Sequence, residues 1–377
     1  MPGRRVAFDR AKHRRQPLNI SSSPPYRNHQ TFCWRRLAGG QNKADKASRT
    51  WGRPKVIAIE HHVTAVTAMA NGLGRCRLLT KEILENELLP SITYVLSDCD
   101  GVLWSGNNAI PGSSEALSVL RKLGKKVRYV TNNSSKSRQG YVEKCKKLNF
   151  DAKLEDIFTA AYCAVLYLKK INFSGKIYLI GTKALLSEIV DGGFTTCAPI
   201  GPDPAPNDWL KWAVEEMTPN PEVKAVVVGF DEHIGFVKCL KAATYLKDPN
   251  CLFLATNTDE TYPCPNKSIV VPGTGTMVAA VTTASQRKPI VVGKPEPFMT
   301  DCIRIRCPDL DPARTVMIGD RLNTDIQMGR RAGMKTILVG SGVHGLDDVC
   351  RHVREGKLDD VPDFYVPKLG DIADMLA

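Results

Sequence analysis

Asp98 and Asp100 stand two residues apart, directly after the apolar run 94–97 and directly before Gly101. Three later polar clusters follow apolar runs in the same way. They are Thr131-Asn132-Asn133-Ser134 after 127–130, Lys294 after 290–293, and Asp320 with Asp325 after 315–318. Paired carboxylates can serve as nucleophile and as acid and base, a lysine can balance their charge, and hydroxyl and amide groups can hold an anion. The clusters must therefore meet in space. An open parallel α/β sheet accomplishes this, because ligands bind outside the carboxyl ends of its strands.

The elements that position them are legible from pattern. Short runs rich in Val, Ile and Leu at 94–97, 127–131, 177–180, 225–228, 252–255, 290–292, 316–318 and 336–339 read as strands. Segments 113–123, 137–148, 236–246 and 323–332 read as helices between them, so the chain is α/β with βαβ units. Several strand runs lack polar alternation, which suits strands covered on both faces. Thr131 and Lys294 need a common site although about 160 residues separate them, far more than a loop in a compact domain. The intervening sequence carries three strand runs of its own. The expected organisation is a Rossmann-like parallel-sheet core from 75–174 and 289–377, an inserted α/β cap over 175–288, and a tail over 1–74. Gly273-Thr274-Gly275 reads as a helix cap or tight turn, since Val278 stands where a dinucleotide fingerprint needs its third glycine.

In this order the four motifs resemble the haloacid-dehalogenase-like phosphatases, within them the 4-nitrophenylphosphatase, phosphoglycolate phosphatase and pyridoxal phosphatase group. The likeness spans about residues 75–377. It implies that Asp98 attacks phosphorus and forms an aspartyl-phosphate, while Asp100 protonates the leaving oxygen and later deprotonates water. Two carboxylates beside a phosphate need a cation, and Mg2+ suits an all-oxygen site. By resemblance its protein ligands are the Asp98 side chain, the Asp100 main-chain carbonyl and Asp320, with Asp325 in support. Lys294 balances Asp98 and the transferring phosphoryl group. Thr131 and Asn132 donate to phosphate oxygens, and Asn133 shapes the loop or reaches the substrate. Asn323 departs from the pattern, because many relatives carry an acid there. A cap restricts access and favours a small phosphorylated metabolite. Its specificity loop is expected at 256–263, with Asp259, Glu260 and Tyr262 as candidates, and the resembled group also implies a homodimer through the cap. Residues 131–138 favour 2-phosphoglycolate over pyridoxal 5′-phosphate. A phosphomutase, or a catalytically silent metal-binding interaction module, are the rival readings.

Charge separates the tail from the rest. Residues 1–68 hold 14 Lys and Arg against 3 Asp and Glu, which accounts for +11 of the net +13. The motif-bearing remainder is nearly neutral, so nucleic acid is not the expected partner. Such a tail cannot bury enough apolar surface to fold alone and reads as a disordered extension. The expected address is cytoplasmic, or mitochondrial should the tail act as a transit peptide, and Met69 is a possible second start. No apolar run reaches the roughly 20 residues of a membrane span, the best, 56–70, being broken by Glu60, His61 and His62. The 12 cysteines form no Cys-x-x-Cys pair and no zinc spacing. Cys99 lies between the two aspartates, and strand alternation turns its thiol away from them. No cysteine has an arginine six positions on, and no Arg-His-Gly segment occurs, so thiolate and phosphohistidine phosphatase mechanisms have no residues to use. His233 reads as a surface or helix-start residue.

Overall fold

The computed structural model describes residues 72–377, apart from 198, 265 and 267. The expectations for residues 1–68, for Met69 and for the 56–70 run lie outside the described residues.

The apolar runs become two parallel sheets. Seven strands stand in the order Arg77–Leu78, Phe364–Val366, Lys335–Val339, Thr315–Gly319, Tyr94–Ser97, Lys126–Thr131 and Ile157–Thr159, and every neighbouring pair is parallel. Five more stand in the order Ile290–Val291, Leu252–Ala255, Val223–Val228, Lys176–Ile180 and Thr195–Thr196, also parallel throughout. This is the mixed α/β architecture with large parallel sheets that the pattern foretold. Two antiparallel hairpins, Trp104–Ser105 with Asn108–Ala109 and Thr261–Tyr262 with Val271–Pro272, stand apart from both sheets.

Local chemistry explains where helices begin. Thr159 Oγ1 accepts from Tyr162 N to cap Ala160–Lys170, Ser137 Oγ accepts from Gly140 N to cap Arg138–Lys147, and Thr182 does the same for Lys183–Asp191. Gly273 is the N-cap of Thr274–Ser285, the cap role expected for the Gly-Thr-Gly segment. Helix Ser113–Lys122 buries Ala116, Leu117 and Leu120 on one stripe. A single apolar cluster joins Leu96, Val130 and Met317 of the larger sheet with Leu179, Val227 and Leu254 of the smaller one. The two sheets thus share buried surface.

One strand does not sit where its motif suggests. Ile290–Val291 was expected to open the second half of the core, yet it pairs with Leu252–Ala255, Leu254 opposite Ile290 and Ala255 opposite Val291, at the edge of the five-stranded sheet. An apolar run specifies a buried strand and not which sheet receives it. The expected boundary at 288/289 accordingly precedes the last strand of the smaller sheet.

Two glycines matter for close approach. Gly101 has φ +88°, and a side chain there would meet the Asp320 carboxylate. Gly319 has the Asp325 side chain where its own Cβ would lie. Gly319→Ala is therefore expected to lower stability by about 3 kcal/mol, read as a melting-temperature drop of several degrees. A melt within a degree of wild type would show that Asp325 moves aside freely.

Candidate active site

Tyr94–Ser97 lies between Thr315–Gly319 and Lys126–Thr131. The carboxyl ends of three adjacent parallel strands therefore deliver Asp98, Asp320 and Thr131 to one place. Lys294 arrives from the smaller sheet, three residues after Val291. Its Nζ donates to Asp98 Oδ1 at 2.6 Å, Asp325 Oδ1 at 2.7 Å and the Val130 carbonyl at 3.0 Å. All three ammonium protons are used, and only 2% of the residue is exposed. Asp98, Asp320 and Asp325 are buried, and each offers an oxygen within 4.8 Å of the others. Asp320 Oδ2 accepts from Val343 N at 2.9 Å, and Asp325 Oδ2 accepts from Arg321 N at 3.2 Å.

Three carboxylates against one ammonium leave two negative charges unbalanced in a buried site, which is costly unless a further cation enters. Burial lifts the Asp98 carboxyl well above the usual range; Lys294 opposes this, and Asp325 and Asp320 add to it. Asp320 is pushed up to about 7, first by burial and then by Asp325. Burial alone would pull Lys294 down, but Asp325 and Asp98 outweigh it and raise the ammonium above the ordinary lysine value. The donor set is all oxygen and net negative, so the residues fit a hard divalent cation.

The expected phosphate donors behave differently from one another. Thr131 lines the cavity, and its Oγ1 accepts from Asn133 N at 3.1 Å, leaving the hydroxyl proton to donate. Asn132 was expected to donate to phosphate oxygens, and its side-chain amide is engaged elsewhere. Its Oδ1 accepts from Lys294 N at 2.7 Å, and its Nδ2 donates to the Lys294 carbonyl and to Asp259 Oδ1, both at 2.9 Å. The side chain clamps the lysine's backbone, because the chain bearing Lys294 returns directly over the Lys126–Thr131 strand end. Asn132→Ala orphans a buried N–H and a buried C=O, so about 2–4 kcal/mol of stability and a roughly tenfold or larger loss of kcat/KM are expected. Unchanged melting would refute the clamp. Asn133 shapes the loop, its Oδ1 accepting from Ser135 N at 2.8 Å while Nδ2 donates to Tyr262 Oη at 3.2 Å.

Within the expected specificity loop, Asp259 and Tyr262 line the cavity and Glu260 does not. Glu260 is exposed, and its backbone carbonyl accepts from Gly273 N at 2.8 Å. Burial raises Asp259, with Arg321 and Asn132 opposing. The Tyr262 ring packs 5.1 Å from Phe230, a wall residue that sequence reasoning did not single out because it is an apolar residue just past the strand Val223–Val228. Arg321, next to Asp320, was also missed; it is 8% exposed and donates from Nη2 to the Thr261 carbonyl at 3.1 Å. Its place inside the Asp320 to Asp325 motif was the available signal. Asp325, read as a support, stands in the carboxylate triad and pairs with Lys294. Asp100 faces the cavity with Oδ1 held by Trp104 Nε1 at 2.9 Å. Among the described residues, buried Asn323 Oδ1 has no hydrogen-bond partner. Cys99 is fully buried among apolar side chains, and burial, with Asp98 second, pushes its thiol well up, so it packs rather than reacts. His233 is exposed, beyond the cavity lining.

Comparisons with known proteins agree with this geometry. Residues 95–195 match the family model described as haloacid dehalogenase-like hydrolase, and residues 291–372 match a second, HAD-hydrolase-like model. Human glycerol-3-phosphate phosphatase is 42% identical over 316 residues, which cover 79% of this chain and 95% of that protein. Human chronophin is 37% identical over 310 residues, covering 81% and 99% respectively. The crystal structure of 4-nitrophenylphosphatase from Thermotoga maritima superposes with a TM-score of 0.63 at 28% identity, covering 77% of this chain and 99% of that one. The chain belongs to the haloacid dehalogenase-like hydrolases, in their phosphatase group, and is a phosphoric monoester hydrolase.

Proposed function

We propose that the protein is a magnesium-dependent phosphatase of a small phosphorylated metabolite, glycerol 3-phosphate before others, acting through an aspartyl-phosphate. The observation that carries the reading is the buried group Asp98, Asp320 and Asp325 around Lys294, at the ends of adjacent parallel strands. The Asp98 and Asp320 side chains and the Asp100 carbonyl would hold Mg2+, with Asp325 beside them. Bound there, the ion neutralises the carboxylates and draws charge from a phosphoryl oxygen.

Asp98 attacks phosphorus with a carboxylate oxygen, and the bond from phosphorus to the ester oxygen breaks. Asp100 gives its proton to that oxygen, so the leaving group departs as an alcohol. Asp100, now a carboxylate, takes a proton from the water that attacks the aspartyl-phosphate, releasing inorganic phosphate and restoring both aspartates. Lys294 keeps Asp98 oriented through its 2.6 Å bond and balances charge, and Thr131 contributes a hydroxyl donor. The five-stranded unit, about 175–291, serves as the cap, and Asp259, Tyr262 and Phe230 wall the leaving-group side.

Lining charges bear on the substrate. Among the described residues the cations lining the cavity are Lys294 and Arg321, and Arg321 already faces Asp259 and the Thr261 carbonyl. A neutral polyol leaving group suits this wall better than a carboxylate. Human glycerol-3-phosphate phosphatase, among the similar proteins, supports the same choice. 2-Phosphoglycolate stays as the second reading, on the Thr-Asn-Asn-Ser-Ser-Lys-Ser-Arg stretch. Phosphate release from glycerol 3-phosphate, 2-phosphoglycolate, pyridoxal 5′-phosphate and 4-nitrophenyl phosphate, each with Mg2+, tests it. The highest kcat/KM on glycerol 3-phosphate supports the proposal; a higher value on either of the other two metabolites rejects it. Assembly as a homodimer is part of the proposal, supported by exposed Trp209, Leu210, Val214 and Phe236 on the five-stranded unit. Sedimentation as a monomer at micromolar concentration would exclude it.

A further inference from the structure

Asp100 is gripped from one side. Its Oδ1 accepts from Trp104 Nε1 at 2.9 Å and lies 3.7 Å from Lys144 Nζ. Both contacts fall on the same oxygen. The side chains of Lys144 and Asp100 are only 15% and 16% exposed, so this pair is poorly screened by water. Lys144 Nζ also stands 4.2 Å from the Trp104 ring centroid, a cation–π contact that ties the two holders to each other. Trp104 is itself fixed: it is fully buried, stacked on Tyr141 at 6.2 Å and edge-on to Phe150 at 5.6 Å. Helix Arg138–Lys147 supplies both Tyr141 and Lys144 one turn apart, so the ring and the ammonium move as one body.

A carboxyl group that protonates a leaving oxygen must present one particular oxygen to it, and a misplacement of about 1 Å can cost up to about a hundredfold. We propose that Lys144 and Trp104 are positioning residues that hold Asp100 by Oδ1, so that Oδ2 is the oxygen that gives the proton to the leaving group. The inference rests on the reading of Asp100 as acid and base. The balance is then local: the proton leaves Asp100 Oδ2 as the ester bond breaks, and Oδ2 recovers one from the water of the second step. Oδ1 keeps its two partners throughout.

Leaving-group dependence separates this role from simple packing. 4-Nitrophenolate is a stable anion that needs little protonation, whereas a glycerol alkoxide needs it fully. The experiment compares kcat/KM of the full chain on glycerol 3-phosphate and on 4-nitrophenyl phosphate, with Mg2+, for wild type, Lys144→Met, Lys144→Arg and Asp100→Asn. Lys144→Met is expected to lower the alkyl-to-aryl ratio about tenfold or more, a part of the 10²–10⁴ that general acid catalysis supplies. Lys144→Arg is expected to restore most of it. Should Lys144→Met fail to fold, Trp104→Phe, which keeps an aromatic ring and loses the N–H, carries the same comparison. Equal losses on both esters, or no loss, overturn the positioning role. If Asp100→Asn itself leaves the ratio unchanged, the acid role fails and this proposal falls with it. A ratio altered by Asp100→Asn but not by Lys144→Met or Trp104→Phe defeats the positioning proposal alone.

Discussion

Asp98→Asn is expected to lower kcat by about 10⁴-fold or more on every monoester, because an amide oxygen is too weak a nucleophile to take the phosphoryl group. The variant should still fold. Asparagine has nearly the shape of aspartate, and Lys294 keeps Asp325 at 2.7 Å and the Val130 carbonyl at 3.0 Å. Acid-quenched protein incubated with labelled substrate should retain phosphate covalently in wild type and none in the variant. A native melting profile alongside makes the loss chemical rather than structural. Turnover within tenfold of wild type by folded Asp98→Asn would reject Asp98 as nucleophile, leaving direct attack by water as the mechanism to test.

Removing divalent metal is the second large effect, expected to abolish turnover and to be reversed by Mg2+. Its pH dependence follows from burial. Free aspartate ionises near pH 4, whereas folded, metal-free Asp320 is pushed up to about 7, by burial first and by Asp325 next. Between those values the folded protein keeps a proton that the unfolded chain has released. Stability of the metal-free protein therefore falls as pH rises from about 4 through about 7. Asp98, raised by burial despite Lys294, acts in the same direction. Mg2+ replaces the missing positive charge, so the stabilisation it brings grows across this window. At a hundredfold excess over Kd a ligand adds about 2.7 kcal/mol, a shift of several degrees in a protein of this size. The rise in melting temperature on adding Mg2+ should be larger at pH 8 than at pH 5.5. An equal or smaller rise at pH 8 would speak against Asp320 as a ligand.

What the chain determined by itself is local. The runs Tyr94-Val95-Leu96, closed by Ser97, and 252–255 show no polar alternation, and 94–97 and 252–255 both appear as strands with those bounds. Helix starts are equally local, since a Ser or Thr hydroxyl satisfies an amide only three residues on. Strand Ile157–Thr159 and helix Ala160–Lys170 were not singled out, because an apolar stretch running from one into the other shows no single period. Three of the four polar clusters were legible for a related reason: parallel strands of one sheet end on one edge, so the residues just past Tyr94–Ser97, Lys126–Thr131 and Thr315–Gly319 converge, whereas Lys294 arrives from the other sheet.

The tertiary structure decided what each polar atom touches. Asn132 and Lys294 lie 162 residues apart, and their reciprocal bonds exist only because the smaller sheet returns the chain to the end of the larger one. Asp325 meets Lys294 as well as standing within reach of Asp98 and Asp320, and Ile290–Val291 joins the smaller sheet rather than the larger. Lys144, an unremarkable lysine in a basic helix, reaches Asp100 through the orientation of that helix over Trp104. Periodicity reports which face of an element is buried. The partner across a buried interface is set by the packing of distant segments, and no local spacing encodes it.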